Sequence, residues 1–322
     1  MNWLRQIAVS LTLMLLSASA LAQTYPNRPV RLIVAYATGG VSDIMGRVLA
    51  QKMSETLGQP MVVENRAGAG GMIGTDFVAK SAPDGYVIVL SSPTQMAIVP
   101  NLNKSTPYDP IKDFTPIGGI AMTPNILSIN VSLPFRTLKD LVDYAKANPG
   151  ALTFGSSGPG SVGHLSGEVL RIASGAQLTH VPYKSAGAAY PDMIAGNISM
   201  VFDTLPSAIQ HINSGKARPI ALMASKRAPL LPNVPTFAEA GFPEATLHFW
   251  IGLHGPANMP QPVVQTLNDG LRKALAAPDL RERFTALGAH PLVISPQELG
   301  DMTRQTLDQI TKTIKTAGIR GD

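Results

Sequence analysis

The sequence has no cysteine among its 322 residues. This absence excludes a disulfide scaffold, a zinc site with thiolate ligands, an iron–sulfur cluster and a cysteine nucleophile. Charged residues are also scarce, at 15% of the chain against about 25% in an average globular domain. The net charge is only +5 and no run of five lysines or arginines occurs, so we predict no nucleic-acid binding.

Motifs for metals and cofactors are missing as well. The six histidines, at positions 164, 180, 211, 248, 254 and 290, include no pair at helical i, i+4 spacing and no H-E-x-x-H motif. The segment Asn65–Gly74 nearly matches the dinucleotide fingerprint G-x-G-x-x-G, but Ile73 stands where the third glycine belongs. We therefore expect neither a metal ion nor a cofactor.

The N-terminal segment has the pattern of a secretory signal. Arg5 is its only charged residue, Ile7 to Leu16 form a short, largely apolar stretch, and Ala20-Leu21-Ala22 is a small-x-small cleavage site. A membrane anchor would need about 20 apolar residues, which this stretch does not provide. We predict that residues 1–22 are a signal peptide and that the rest of the chain is exported.

After residue 22, apolar strand-like runs alternate with amphipathic helical windows. The first unit has expected strands at Val30–Tyr36, Met61–Glu64 and Tyr86–Leu90, and a helix over Ser42–Leu57. Near-continuous apolar strands in β-α-β-α-β order predict a parallel sheet that helices cover on both faces. The fold class that we predict is therefore α/β.

A second α/β unit follows the first. Its expected strands are Asn125–Asn130, Leu152–Gly155, Leu178–Val181, Ser199–Asp203 and Pro219–Ala224. Stretches rich in glycine or proline, Thr115–Pro124 and Pro229–Pro243, suggest boundaries. We expect one domain made of residues 23–124 and 245–322 and a second made of residues 125–244, with a hinge where the chain crosses twice.

Glycine-rich loops join strands to helices in both units. The first loop contains Ala37, Thr38, Gly39 and Asp43. Such a loop lies at the carboxyl end of a strand, where open α/β sheets bind ligands, and the N–H groups at a helix start suit an anion. The alternative is that Gly39-Gly40 only make a turn and that Ser42 or Asp43 only caps the helix.

Two further loops have the same design. The second contains Ala67, Gly68, Ala69 and Gly70. Its backbone can form a nest for a carboxylate. The third contains Ser156, Ser157, Gly160, Ser161 and His164. Its hydroxyl and N–H groups can hold a second anionic group, although His164 is alternatively a neutral helix residue with a local hydrogen bond.

The loops are rich in Ser, Thr and Gly and poor in catalytic residues, which favours binding over catalysis. One alternative is an exported serine hydrolase that uses a serine of the 156–161 loop, with His164 the only base near it in sequence. The G-x-S-x-G elbow is absent there, because Pro159 stands where its last glycine belongs. The other alternative is a structural or adhesive surface protein.

The sequence resembles the solute-binding proteins of tripartite tricarboxylate transporters, the TctC or Bug proteins. The resemblance runs from Tyr25 to nearly the end of the chain. The segments that carry it are Tyr25–Arg31, Gly39–Asp43, Val63–Gly71, Ala82–Tyr86, Pro107–Pro110, Gly155–Leu165, His180–Lys184, Phe202–Asp203, Leu231–Thr236 and Glu239–Gly241.

The resemblance implies a two-domain periplasmic-binding-protein (Venus-flytrap) fold with a ligand cleft between the domains. It implies a monomeric periplasmic receptor, not an enzyme, that delivers a small carboxylate to a membrane permease. Ligands of this family include di- and tricarboxylates, acidic amino acids and aromatic carboxylates. The family also implies that the three loops bind the ligand and that Ser91–Thr94 and Asp203 line the cleft, although Asp203, like Asp43, alternatively caps a helix.

One departure from the family lies before the first double glycine. Members often have proline-rich residues there, whereas this chain has Tyr36-Ala37-Thr38. Thr38 would add a hydroxyl donor, which leaves the specificity of this member open.

Overall fold

The computed structural model describes residue 3 and residues 25–39, 41–245, 247 and 249–319. The predicted signal peptide, residues 1–22, lies outside the described residues except for Trp3. The strands are, in chain order, β1 (Val30–Val34), β2 (Met61–Asn65), β3 (Val87–Ser91), β4 (Phe114–Met122), β5 (Asn125–Asn130), β6 (Leu152–Ser156), β7 (Leu178–Pro182), β8 (Met200–Thr204), β9 (Ala217–Met223), β10 (Trp250–Pro256) and β11 (His290–Pro291).

The helices alternate with these strands. In chain order they are α1 (Val41–Leu57), α2 (Met72–Ala79), α3 (Val99–Leu102), α4 (Leu138–Ala147), α5 (Val162–Ser174), α6 (Tyr190–Ala195), α7 (Leu205–Asn213), α8 (Gln261–Ala276), α9 (Pro278–Ala286) and α10 (Pro296–Ala317). A π-helical turn, Thr94–Ile98, precedes α3. None of the helices in the described ranges combines the length and the apolar character that a membrane crossing requires.

Local sequence explains why these elements form. Helix α1 buries Met45, Leu49 and Met53, which recur every four residues and so share one face. Gly58 follows its last residue with a φ of 70°, the left-handed conformation that ends many helices. Helix α10 begins with a capping box in which Ser295 and Glu298 satisfy each other's backbone N–H groups.

The strands form two sheets. The first has the order β11-β4-β10-β3-β1-β2, and the second has the order β7-β6-β8-β5-β9. In the first sheet β1 is parallel to β2 and β3, and in the second β6 is parallel to β7 and β8. The sheets are connected by Thr123 and Pro124 after β4 and by the residues that lead into β10.

The predicted parallel arrangement is found for β1, β2 and β3, whereas the strands beside these connections are antiparallel to their neighbours. Strand β10 is antiparallel to β3 and β4, and β5 is antiparallel to β8 and β9. Strand β5 follows β4 after two residues, and β10 follows the longer segment that returns from β9. Among the described residues, neither connection contains an α-helix. The helical crossover is what makes neighbouring strands parallel, so its absence permits the opposite direction.

The boundary segment Thr115–Pro124 that the composition suggests is mostly strand. Residues 114–122 form β4, which lies between β10 and β11, and only Thr123 and Pro124 leave the first sheet. The domain division that we expect at 124/125 and 244/245 falls close to the two connections and remains a prediction.

Each sheet has its own apolar core. Met45, Leu49 and Leu271 belong to the core beside the first sheet, whereas Phe154 and Phe202 belong to the core beside the second. Helix α10 contacts both regions, since its Leu299 packs in a cluster with Trp250 and its Ile310 belongs to the second-sheet core.

Replacement of Gly119 in β4 by alanine should destabilise the protein by about 1–3 kcal/mol, the usual cost of overpacking. A Cβ atom at this position would lie 2.7 Å from the backbone oxygen of Leu292. Urea unfolding and the thermal midpoint measure the effect. The control is Gly187→Ala, whose Cβ would meet nothing closer than 4.0 Å and which should cost less than about 0.5 kcal/mol. Equal stability of the two variants would contradict this packing.

Candidate functional site

A cavity of about 320 Å³, the front cavity, lies between the two sheets. Its walls come from residues that follow β1, β3, β4, β6 and β8 and from the starts of β5 and β10. The lining residues are Tyr36, Val41, Ser42, Ser92, Pro93, Thr94, Thr123, Asn125, Ser157, Ser161, Val162, Thr204, Pro206, Phe249, Trp250 and Ile251.

Three helices begin at the front cavity. Val41 and Ser42 open α1, Ser161 is the N-cap of α5, and Thr204 is the N-cap of α7. Each helix start leaves backbone N–H groups unpaired and carries about half a positive charge. Among the described residues, none that lines the cavity has a formally charged side chain. The cavity therefore offers an anion neutral donors and helix dipoles rather than an ion pair.

Polar side chains complete this donor set. Burial raises the pKa of Tyr36, so its hydroxyl stays protonated at neutral pH. Asn125 is fully buried, and its Nδ2 donates to Ser166 Oγ at 3.1 Å. Its Oδ1 has no hydrogen-bond partner among the described residues. Such a buried acceptor is costly to leave unpaired, so it suits a bound water or ligand.

A second cavity, the side cavity, adjoins the front cavity and has a volume of about 460 Å³. The two share Thr94, Ser157 and Ser161. The side cavity also contacts the glycine loops through Ala69, Gly70 and Gly160. Of the predicted site residues, these six line one or both cavities.

The first loop serves mainly as a scaffold. Asp43 accepts hydrogen bonds from Gly39 N at 2.9 Å, from Arg47 Nε at 3.1 Å and from Asn65 Nδ2 at 2.9 Å. The Arg47 guanidinium, with the Gly39 N–H, lowers the pKa of Asp43 to about 2. Asp43 does not line either cavity, so its carboxylate holds the loop in place. This arrangement fits the alternative interpretation of Asp43, in which the residue has a local structural role.

The exposed part of the first loop and the start of the second also lie outside the two cavities. Ala37, Thr38 and Gly39 are solvent-exposed, and neither Ala67 nor Gly68 is among the lining residues. Arg66 is held away from the cavities, because its Nε donates to Glu64 at 2.6 Å and its guanidinium lies 3.6 Å from the ring centroid of Phe77.

Ser156 of the third loop pairs with His180, a half-buried residue of β7. Ser156 Oγ lies 2.7 Å from His180 Nε2, and the imidazoles of His164 and His180 stack with centroids 3.9 Å apart. Burial lowers the pKa of His180 to about 4 and also lowers the pKa of His164. Both rings are therefore neutral at pH 7. His164 Nδ1 accepts the N–H of Gly160 at 3.0 Å. This is a local hydrogen bond of the kind that the sequence analysis gave as the alternative role of His164.

This pair does not form an accessible nucleophile. Ser156 has no exposed surface and lines neither cavity. Ser161 lines both cavities, but its Oγ donates to Ser156 Oγ at 3.2 Å and accepts from the backbone N–H of His164. Ser161 thus lacks a histidine base, and the histidine-paired Ser156 lacks access to the cavities.

Ser91 and Asp203 point away from the cavities. Ser91 is buried, with its Oγ donating to Gly252 O at 3.0 Å and lying 2.7 Å from His254 Nδ1. Asp203 alternates along β8 with Thr204, which faces the front cavity. Asp203 Oδ1 accepts the N–H of Thr204 at 2.7 Å, and burial raises the pKa of Asp203 to about 6.

Sequence reasoning missed most of the front-cavity lining. Phe249, Trp250 and Ile251 come from the segment that returns to the first sheet, and Thr123 comes from the segment that leaves it. Phe249 lines the cavity and also belongs to the core beside the second sheet. Ser92 lies within Ser91–Thr94, the segment that the family resemblance placed in the cleft. Thr204 ends β8, so the strand-end rule that located the loops also applies to it.

Metal chemistry has no visible support at this site. In the described ranges, no group of three His, Asp or Glu side chains is arranged to hold a metal ion.

Comparison with known proteins agrees with this architecture. Residues 45–319 match the family described as "Tripartite tricarboxylate transporter family receptor". The chain is 35% identical over 306 residues to Protein BugT of Bordetella pertussis, covering 95% of this chain and 94% of that protein.

Two solved structures from Rhodopseudomonas palustris are also similar. Rpa4515 with adipate has a TM-score of 0.78 and 35% identity, covering 92% of this chain and 100% of that one. MatC with bound malate has a TM-score of 0.74 and 30% identity, covering 90% and 100%. The α/β fold with two sheets is that of the periplasmic binding proteins, as expected. The chain belongs to the receptor family of the tripartite tricarboxylate transporters, the TctC/Bug proteins.

Proposed function

We propose that this protein is a periplasmic receptor that captures a small carboxylate in the front cavity and delivers it to the membrane permease of a tripartite tricarboxylate-type transporter. The observation that carries this proposal is the convergence of the starts of α1, α5 and α7 on a cavity whose described lining is uncharged. We further propose that residues 1–22 direct export and that the receptor acts as a monomer.

Neutral donors are sufficient to hold a carboxylate in such a place. A hydrogen bond to a charged group contributes about 1.5–3 kcal/mol, and exclusion of water strengthens it further. The hydroxyls of Tyr36, Ser42 and Ser157 lie beside the helix starts. Several such bonds, together with the helix dipoles, can replace an arginine or lysine.

The apolar part of the lining indicates the rest of the ligand. Val162, Phe249 and Ile251 face the same cavity as the donors, so a short aliphatic chain or a ring can pack beside the carboxylate. A volume of about 320 Å³ is at the small end of the range for organic ligands. The adipate and malate bound by two relatives are acids of this kind.

Thermal unfolding against a panel of carboxylates tests the proposal. The panel contains succinate, adipate, malate, glutamate and benzoate. One of them at 100 times its dissociation constant should stabilise the protein by about 2.7 kcal/mol. Replacing Ser157 by tryptophan should abolish the shift, because the indole would occupy the space that both cavities share at this residue.

The matched control is Thr179→Trp, which places the same side chain at an exposed position on β7. This variant should keep the full shift. A panel without any stabilising carboxylate would argue against a carboxylate receptor. An undiminished shift in the Ser157 variant would place the ligand elsewhere.

Asp43→Asn should reduce both stability, by about 1–3 kcal/mol, and carboxylate affinity, because Asp43 fixes the loop before α1. The pKa of Asp43, about 2, lies below its ordinary value of 3.8. The ionised form therefore stabilises the fold above about pH 4, and this contribution is lost as the pH falls through about 2.

Urea unfolding between pH 2 and pH 7 measures this dependence, and the variant should show a flatter curve below pH 4. Asp143→Asn is the control, since Asp143 is exposed and pairs with Lys139. This substitution should cost less than about 1 kcal/mol. If the free energy of unfolding fell equally for wild type and Asp43→Asn as the pH is lowered below 4, this would contradict the role given to the Asp43 carboxylate.

A further inference from the structure

A third cavity, the rear cavity, also lies between the two sheets and has a volume of about 430 Å³. Met122, His290 and Leu292 come from the first sheet and its following loop, whereas Met223 and Lys226 come from the end of β9 and the residues after it. Both sheets therefore contribute walls, so the shape of this cavity depends on their relative orientation.

The chemistry of the rear cavity differs from that of the front cavity. Lys226 is exposed and forms no ion pair or hydrogen bond with any described residue. Arg227 also lines the cavity, with its Nε bonded to Glu239 at 2.9 Å. His290 Nε2 is buried without a hydrogen-bond partner in the described part of the chain. Cationic groups and an unsatisfied imidazole nitrogen thus adjoin apolar walls formed by Met122, Met223 and other side chains.

Of the residues that the structure describes, two line both the front and the rear cavity, and they lie in the segments that connect the sheets. These are Thr123, which follows β4, and Phe249, which precedes β10. The Thr123 N–H donates to Phe249 O at 2.9 Å. The connecting segments are therefore the common wall of the two cavities.

We propose that the rear cavity is a second binding site, for a small organic anion with an apolar body, and that its occupancy increases the affinity of the front cavity for its own ligand. The apolar body packs against Met122 and Met223, and the anionic group pairs with Lys226. Burial lowers the pKa of His290, so its imidazole is neutral at pH 7 and its Nε2–H tautomer donates to the anion.

The coupling follows from the position of the connections. Rotation of the sheets about Thr123 and Phe249 that opens the front cavity brings the rear walls together. An occupant of the rear cavity opposes this movement and so favours the closed front cavity. A ligand that binds one orientation better shifts the equilibrium toward it, and such couplings between sites typically amount to about 5- to 150-fold in affinity. The coupling rests on the proposed function of the front cavity, whereas binding at the rear does not.

Binding at the rear can be measured with the front cavity blocked. In the Ser157→Trp variant, the imidazole ¹⁵N signals of the six histidines are followed while benzoate is added, with benzyl alcohol as the uncharged control. We expect a saturable shift of the His290 signals with benzoate alone, and its loss when Lys226→Glu is added. No benzoate-dependent shift, or an equal shift with Lys226→Glu, would overturn the rear site.

The coupling between the rear and front cavities is tested by filling the rear cavity with a large side chain. Ala224→Trp fills the rear cavity from the residue that follows β9. It should raise the affinity for the stabilising carboxylate of the panel at least about 5-fold, measured by calorimetry, while Thr179→Trp leaves it unchanged. Unchanged affinity in a folded Ala224→Trp variant would overturn the coupling. Failure of the front cavity to bind any carboxylate would instead refute the proposed function, and the histidine titration would still decide the rear site.

Discussion

The hydrogen bond between Thr123 and Phe249 joins the two segments by which the chain passes between its sheets. It keeps the end of β4 beside the start of β10, and the antiparallel pairing of these strands continues from it. Because β1, β3, β6 and β8 end on the side of the connections, the helices that follow begin there too. The convergence of helix starts on the front cavity is thus a consequence of where the chain crosses.

The few charges near the site act as scaffold instead of contacting the ligand space. Asp43 is paired with Arg47, and Glu64 is paired with Arg31 and Arg66. These pairs hold the loops after β1 and β2 in shape and leave the cavity to neutral donors. A neutral cavity also has a physical advantage for a receptor that must release its ligand. A buried ion pair loses much of its gain to desolvation and becomes very costly to break, whereas hydrogen bonds to neutral donors can be exchanged for bonds to water as the cavity opens.

The fold class, most strands and helices and the family could be predicted from the sequence, because apolar periodicity and loop motifs are local signals. Strand β4 was missed, since Pro116, Gly118 and Gly119 look like a linker. The structure shows that Gly119 is required by close contact with Leu292, a residue far away in sequence. No local pattern could reveal that contact.

The candidate site was predicted at the level of loops but not of side chains. Ser157 lines the front cavity, while its neighbour Ser156 turns inward to His180. The direction of each side chain depends on a partner 24 residues away along the chain. Likewise, Phe249 and Trp250 reach the cavity only because β10 returns beside β4. Tertiary contacts of this kind decide which member of a motif meets a ligand.

Helix α10 limits how the two sheets can move. Its start is capped by Ser295 and Glu298 and its Leu299 packs with Trp250 beside the first sheet, while Ile310 and Ile314 pack in the core of the second. A rotation that opens the front cavity must therefore leave α10 in contact with both cores or slide its last turns across α5. Close-packed cores resist continuous deformation, so only an axis that passes near the connections and α10 together is inexpensive. Such an axis confines opening to a modest rotation, in which the front and rear cavities change in opposite directions.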